Sequence, residues 1–153
     1  MAIEEVIRWL RTEHDDLREV ADRLRERAAA PPRGGRERWI AELQARFDEF
    51  AGRLRRRTAK EEEGGYLKPV LAAQPTLSEA VDVLRHEHRE LGCLLDRLEQ
   101  SVHRLSPRDN FLLRDCCKRI EDLLCWLERH EEHENHLVLY ALGYGARTTP
   151  APQ

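Results

Sequence analysis

Apolar residues recur at alternating spacings of three and four along nearly the whole chain, the period of helices that bury one face. The first stripe, Ile3, Val6, Leu10, Leu17, Ala21 and Leu24, predicts a helix from Ile3 to Arg27 that stops before the prolines and glycines of APPRGG. The second, Trp39, Leu43, Phe47, Phe50 and Leu54, predicts a helix over 36–63, closed by Gly64 and Gly65 in a left-handed cap. YLKPVLA reads as a further turn or short helix. In TLSE, Thr76 can cap a helix with Glu79 three residues on; this third stripe runs through Leu77, Val81, Leu84, Leu91, Leu95, Leu98 and Val102 to about Arg104. In SPRD, Ser106 can cap and Pro107 suits the first helical position, and the fourth stripe runs through Cys116, Ile120, Leu123, Leu127, Leu137 and Ala141.

Few residues favour strands, so the class is all-α. Four long helices joined by short connections are most economically an up-down-up-down four-helix bundle over residues 1–142, with 143–153 expected to be a disordered C-terminal tail. The chain also repeats itself. LRTEHDDLREVADRL from Leu10 aligns with LRHEHRELGCLLDRL from Leu84, pairing Glu13 with Glu87, His14 with His88 and Leu17 with Leu91. The bundle therefore reads as two similar helical hairpins.

With 153 residues, 41% of them hydrophobic, the chain can bury a core without covalent staples. Its 26 Lys and Arg nearly balance its 29 Asp and Glu, and a net charge of −3 gives no field that would draw in nucleic acid or an anionic membrane. RLRRR is a short basic stripe beside an acidic run, best read as a solvated face. The first residues are acidic where a signal peptide needs a basic region, and no segment approaches the ~20 apolar residues of a membrane span, so a cytoplasmic protein is expected. Cys93, Cys116, Cys117 and Cys125 lack CxxC spacing and are expected to be reduced thiols filling small packing positions. Trp9, Trp39 and Trp126 read as packing or interface residues. The oligomeric state is left open by the pattern.

Six polar residues interrupt the stripes: His14 on the first, Arg57 and Glu61 on the second, His88 on the third, His130 and Glu134 on the fourth. A buried carboxylate without a partner costs several kcal/mol, so six inward polar groups call for one shared explanation. A metal ion supplies it, since imidazole nitrogens and carboxylate oxygens from facing helices are what bundle cores present to iron or manganese. His130 and Glu134, four apart, share a helical face and can reach one ion. By the repeat, Arg57 and Glu61 are the counterparts of His130 and Glu134, so an arginine stands where a histidine is expected. His86, His103, His133 and His136 fall off the stripes and are expected to be exposed.

The pattern of EH in the first helix, a carboxylate in KEEEGGYL, EH in the third and RHEEHE in the fourth resembles the hemerythrin-like, HHE cation-binding family over about residues 3–142. The resemblance implies a four-helix bundle holding a non-haem di-iron centre, in proteins that bind or sense oxygen, nitric oxide or iron. It implies His14 as a ligand of one iron, His88 and His130 as ligands of the other, and Glu61 and Glu134 as bridges. Arg57 departs from the family motif, because a guanidinium stays protonated and has no lone pair to give.

Two arrangements are compatible with that departure. One ion remains on Glu61, His88, His130 and Glu134 beside an arginine salt bridge, or the guanidinium replaces metal altogether and the bundle is a structural or protein-interaction domain. Glu62 and Glu131 are further carboxylates within reach of a ligand role. HEEHENHL contains no HExxH, which excludes a zinc protease of that type. A ferroxidase of the ferritin type places Glu before His three residues on, whereas here His precedes Glu by four, so a redox enzyme ranks below a metal-binding module with a small diatomic ligand.

Overall fold

The computed structural model describes residues 3–63 and 65–143. Four long helices, α1 (Ile3–Arg27), α2 (Arg36–Glu63), α4 (Ser78–His103) and α5 (Asn110–Ala141), form a four-helix bundle, with a short helix α3 (Leu67–Ala73) and a 3-10 turn (Pro75–Leu77) between α2 and α4. α1 packs on α2 and α5, and α4 packs on α2 and α5; the C-terminal halves of α1 and α4 share one core cluster with the N-terminal halves of α2 and α5, so helices consecutive around the bundle alternate in direction. No strand occurs among the described residues, and no described helix is long and apolar enough to cross a membrane.

The first two helices begin and end where the stripes predict; three local expectations are corrected. Gly65 is not left-handed, and Gly64 lies outside the described residues. What Gly65 supplies is clearance: a Cβ there would meet Glu61 Cα and Lys60 O at 2.9 Å, so only glycine lets the chain turn back across the end of α2. Thr76 lies in the 3-10 turn, and α4 starts at Ser78 without a side-chain cap. α5 starts three residues later than SPRD suggests, where Asp109 accepts from the Leu112 amide at 3.0 Å. Among the described residues the left-handed glycines are Gly35, at the entry to α2, and Gly143, whose amide donates to Tyr140 O at 2.9 Å beyond α5. Residues 144–153 of the expected tail lie outside the described residues.

The apolar core has two parts. The larger runs from Leu17, Phe47, Phe50 and Leu54 to Leu91, Ile120 and Leu127. The smaller joins Val6 and Leu10 to Leu84, Leu137, Val138 and the α3 residues Leu67 and Val70, so α3 closes that end of the bundle. Each long helix passes from one cluster to the other through polar residues: His14 lies between Leu10 and Leu17, and His88 between Leu84 and Leu91. Arg57 and Glu61 lie between Leu54 and Tyr66, and His130 and Glu134 between Leu127 and Leu137. A single charged layer thus divides the hydrophobic interior.

Cys116 and Cys117 fill core positions as expected, whereas Cys93 and Cys125 are exposed; all four thiols are free. His86, His103, His133 and His136 are exposed.

Candidate metal centre

All six stripe-interrupting residues are buried: His14 is 5% exposed, His88 7%, and Arg57, Glu61, His130 and Glu134 no more than 2%. Glu61, His88, His130 and Glu134 each present one ligand-type atom, and these four atoms lie within 4.8 Å of one another. His14 is not in that group; its Nε2 is 4.0 Å from Glu134 Oε2.

The contacts inside the layer are close but poorly directed. His88 Nε2 approaches Glu61 Oε2 at 3.0 Å and His130 Nε2 approaches Glu134 Oε1 at 2.7 Å, yet neither nitrogen makes an aligned hydrogen bond. Both Glu61 oxygens, Glu134 Oε2 and His14 Nε2 are likewise buried without one. Orphaned polar atoms at this depth are costly unless something else satisfies them. A cation at their point of convergence does so, and two imidazoles with two carboxylates form a donor set that first-row divalent metals accept.

The outward faces of the two rings are held firmly. His88 Nδ1 donates to Glu62 Oε1 at 2.7 Å, and His130 Nδ1 donates to the Glu87 carboxylate, whose other oxygen accepts from His133 Nδ1 at 2.9 Å. Trp126 stacks on His130 with ring centroids 5.6 Å apart and planes 9° apart.

Arg57 supplies the layer's fixed positive charge. Its Nη1 donates to Glu131 Oε1 at 2.8 Å, its Nη2 to Glu134 Oε1 at 3.5 Å, and its Nε faces Glu61 Oε1 at 3.3 Å. Burial disfavours its charge, but these carboxylates outweigh that penalty and strengthen its hold on the proton. Glu62 and Glu131, the two further carboxylates, are therefore engaged by His88 and Arg57.

Neighbouring groups push the two central acids apart. Burial and the charge of Glu134 raise Glu61 to about 7. Burial opposes the ionisation of Glu134 too, but the His130 contact and Arg57 overcome it and hold the carboxyl at about 2. Burial lowers His14, whereas the carboxylates facing His88 and His130 overcome burial and raise both rings. Tyr66 is fully buried, its hydroxyl lies near Glu134 without an aligned hydrogen bond, and burial followed by the charges of Glu134 and Glu61 pushes its phenol well above the usual value.

Sequence reasoning missed Glu87, Tyr66 and the stacking of Trp126. Glu87 was visible as the residue beside His88 in the second EH, but its partner is a ring on another helix. A cleft of about 380 Å³ between α1 and α5 reaches the layer from the surface, with His14 and Glu131 among its lining residues.

A four-helix bundle with a buried, cation-sized gathering of imidazoles and carboxylates belongs to the class of helical metal-binding proteins. The profile of the Hemerythrin HHE cation binding domain matches residues 5–142, and the chain belongs to that family. Comparison with curated proteins and with solved structures gives no significant match.

Proposed function

We propose that this chain is a non-haem iron-binding module that holds one ion on Glu61, His88, His130 and Glu134 and serves to bind or sense iron or a diatomic gas. The observation that carries the reading is the convergence of those four buried ligand-type atoms within 4.8 Å. Charge supports a single ion: Arg57 touches three carboxylates, and the two negative charges left over are neutralised by one divalent cation. Without a cation Glu61, raised to about 7, retains a proton over much of the neutral range, and cation binding displaces it. A ferrous ion held by four protein atoms would supply open positions for a small molecule. His14 and the α1–α5 cleft line the approach to it. The four free thiols suit a reducing compartment such as the cytoplasm.

Elemental analysis of protein purified without chelator or acid tests the reading. One iron per chain is expected, and no metal above trace would sink it. Arg57→His should raise the stoichiometry toward two, because it returns a lone pair to the His14 side.

One observation favours a second reading, in which the bundle holds no metal and acts as a structural or interaction domain: the guanidinium already reaches three carboxylates of the layer. That reading predicts a melting temperature indifferent to both chelator and added iron(II).

A further inference from the structure

A neutral imidazole has one lone pair, so it ligates through Nε2 only when its proton sits on Nδ1, and an acceptor at Nδ1 selects that tautomer. Both rings of the four-atom cluster have such an acceptor, reached across a helix boundary: Glu62 on α2 serves His88 on α4, and Glu87 on α4 serves His130 on α5. These two acids are not part of the buried cluster, since their side chains are 36% and 16% exposed. Each is restrained from its far side, Glu62 by Arg85 at 3.7 Å and Glu87 by His133 at 2.9 Å.

The hairpin repeat shows where the equivalent anchors of the other half would stand. The register that pairs Arg57 with His130 and Glu61 with Glu134 pairs Glu62 with Asn135. Asn135 is exposed and lines the α1–α5 cleft together with His14, the ring it would serve. Glu13, the counterpart of Glu87, would serve position 57, which is an arginine. Among the described residues no carboxylate pairs with His14 Nδ1; its acidic neighbours are Glu131 and Glu134, the latter 4.0 Å from Nε2. The half of the layer that has lost a ligand has therefore also lost the acid that would aim its remaining histidine.

We propose that Glu62 and Glu87 are positioning residues that preset His88 and His130 as Nε2 donors, and that Asn135, standing where an acid would anchor His14, acts with Arg57 to confine the chain to one ion. The inference rests on the one-ion reading above. It adds to that reading two residues that touch no metal and a third whose neutrality limits the stoichiometry.

The test compares Glu62→Gln and Glu87→Gln with the unaltered protein. Iron(II) affinity is measured anaerobically by competition with a chromophoric chelator, and the ring nitrogens of the metal-free proteins are read by 15N NMR. Each variant should bind iron(II) about ten- to a hundredfold more weakly, while its metal-free melting temperature stays close to that of the unaltered protein. Read at a pH high enough to leave both rings neutral, the unaltered protein should show the Nδ1-protonated tautomer at His88 and His130, and each variant should weaken that preference at one ring only. The double change Arg57→His with Asn135→Glu should bind its second ion about tenfold more tightly than Arg57→His alone. If the unaltered protein binds iron(II) and both Gln variants bind it equally well, the positioning roles are overturned while the one-ion reading stands. Failure of the unaltered protein to bind iron(II) overturns the one-ion reading, and this inference with it.

Discussion

Arg57 and His130, counterparts in the hairpin repeat, approach the same oxygen, Glu134 Oε1, from different helices: Arg57 Nη2 at 3.5 Å and His130 Nε2 at 2.7 Å. The repeat has kept the geometry of two inward-reaching side chains while changing one from a lone-pair donor to a permanent cation. That exchange makes the two halves of the layer chemically unlike although they remain equivalent in position.

Arg57→Met tests how much the bundle depends on that cation. It leaves Glu61 and Glu134 buried without the guanidinium, and breaking a buried pair from one side costs about 3–5 kcal/mol. In a domain of this size the chelator-treated protein should melt roughly 10 °C lower. Added iron(II) should recover part of the loss, and a change of less than about 2 °C would show that the layer tolerates its own negative charge.

The metal-free protein should lose stability as pH rises from about 5.5 to 8. Glu61 sits near 7 in the folded chain against its usual 4.5, so it favours the fold fully below 4.5 and progressively less as pH climbs through 7. His88 and His130, both raised above 6.5, act with the same sign. His14, lowered by burial, acts oppositely, and Glu134, held at about 2, matters only in acid below its usual 4.5. Melting temperatures across this range, taken with chelator present, decide the matter; an increase toward pH 8 would contradict it.

Tryptophan emission should report occupancy of the site. Trp126 stacks on His130, whereas Trp39 lies in the larger apolar cluster with its indole nitrogen donating to Arg27 O at 3.0 Å. Iron(II) addition should quench emission in the unaltered protein. In Trp126→Phe most of that response should vanish while the metal-to-chain ratio measured by elemental analysis stays the same; an undiminished response would place the quenched ring elsewhere.

The thiols should separate by reactivity toward iodoacetamide at about pH 8. Cys93 is exposed and should react first. Cys125 is exposed too, but its hydrogen bond to Glu121 at 3.4 Å raises the thiol and should slow it. Burial pushes Cys116 up to about 12 and also raises Cys117, so both should label only after unfolding. Peptide mapping over time gives the order, and early labelling of Cys116 would show that α5 opens locally.

The stripes made the bundle legible because Phe47, Leu91 and Ile120 sit on a strict helical period that only a buried face explains. The layer was legible for the converse reason: His14, Arg57 and His88 break stripes that are apolar on either side. Helix starts were less so. Thr76 and Ser106 are good capping residues in isolation, but the 3-10 turn from Pro75 and the local bond at Asp109 place the starts of α4 and α5 one and three residues further on. Glu62 and Glu87 could not be assigned from spacing, since their partners lie on neighbouring helices and depend on how each helix is rotated about its axis. Tyr66 was hidden for a related reason: only the turn that Gly65 permits brings its phenol back over Glu134.

The charged layer between two apolar clusters also fixes how far each rod slides along its neighbours. A bundle of uniform leucine seams can shift one helix by a turn or two with modest loss, because one aliphatic contact replaces another. Here such a shift would carry Arg57 or Glu134 out of level with its partners and set it against Leu54, Leu127 or Leu137. The residues that converge in this layer therefore index the alignment of all four helices, even in a molecule that has never met a metal.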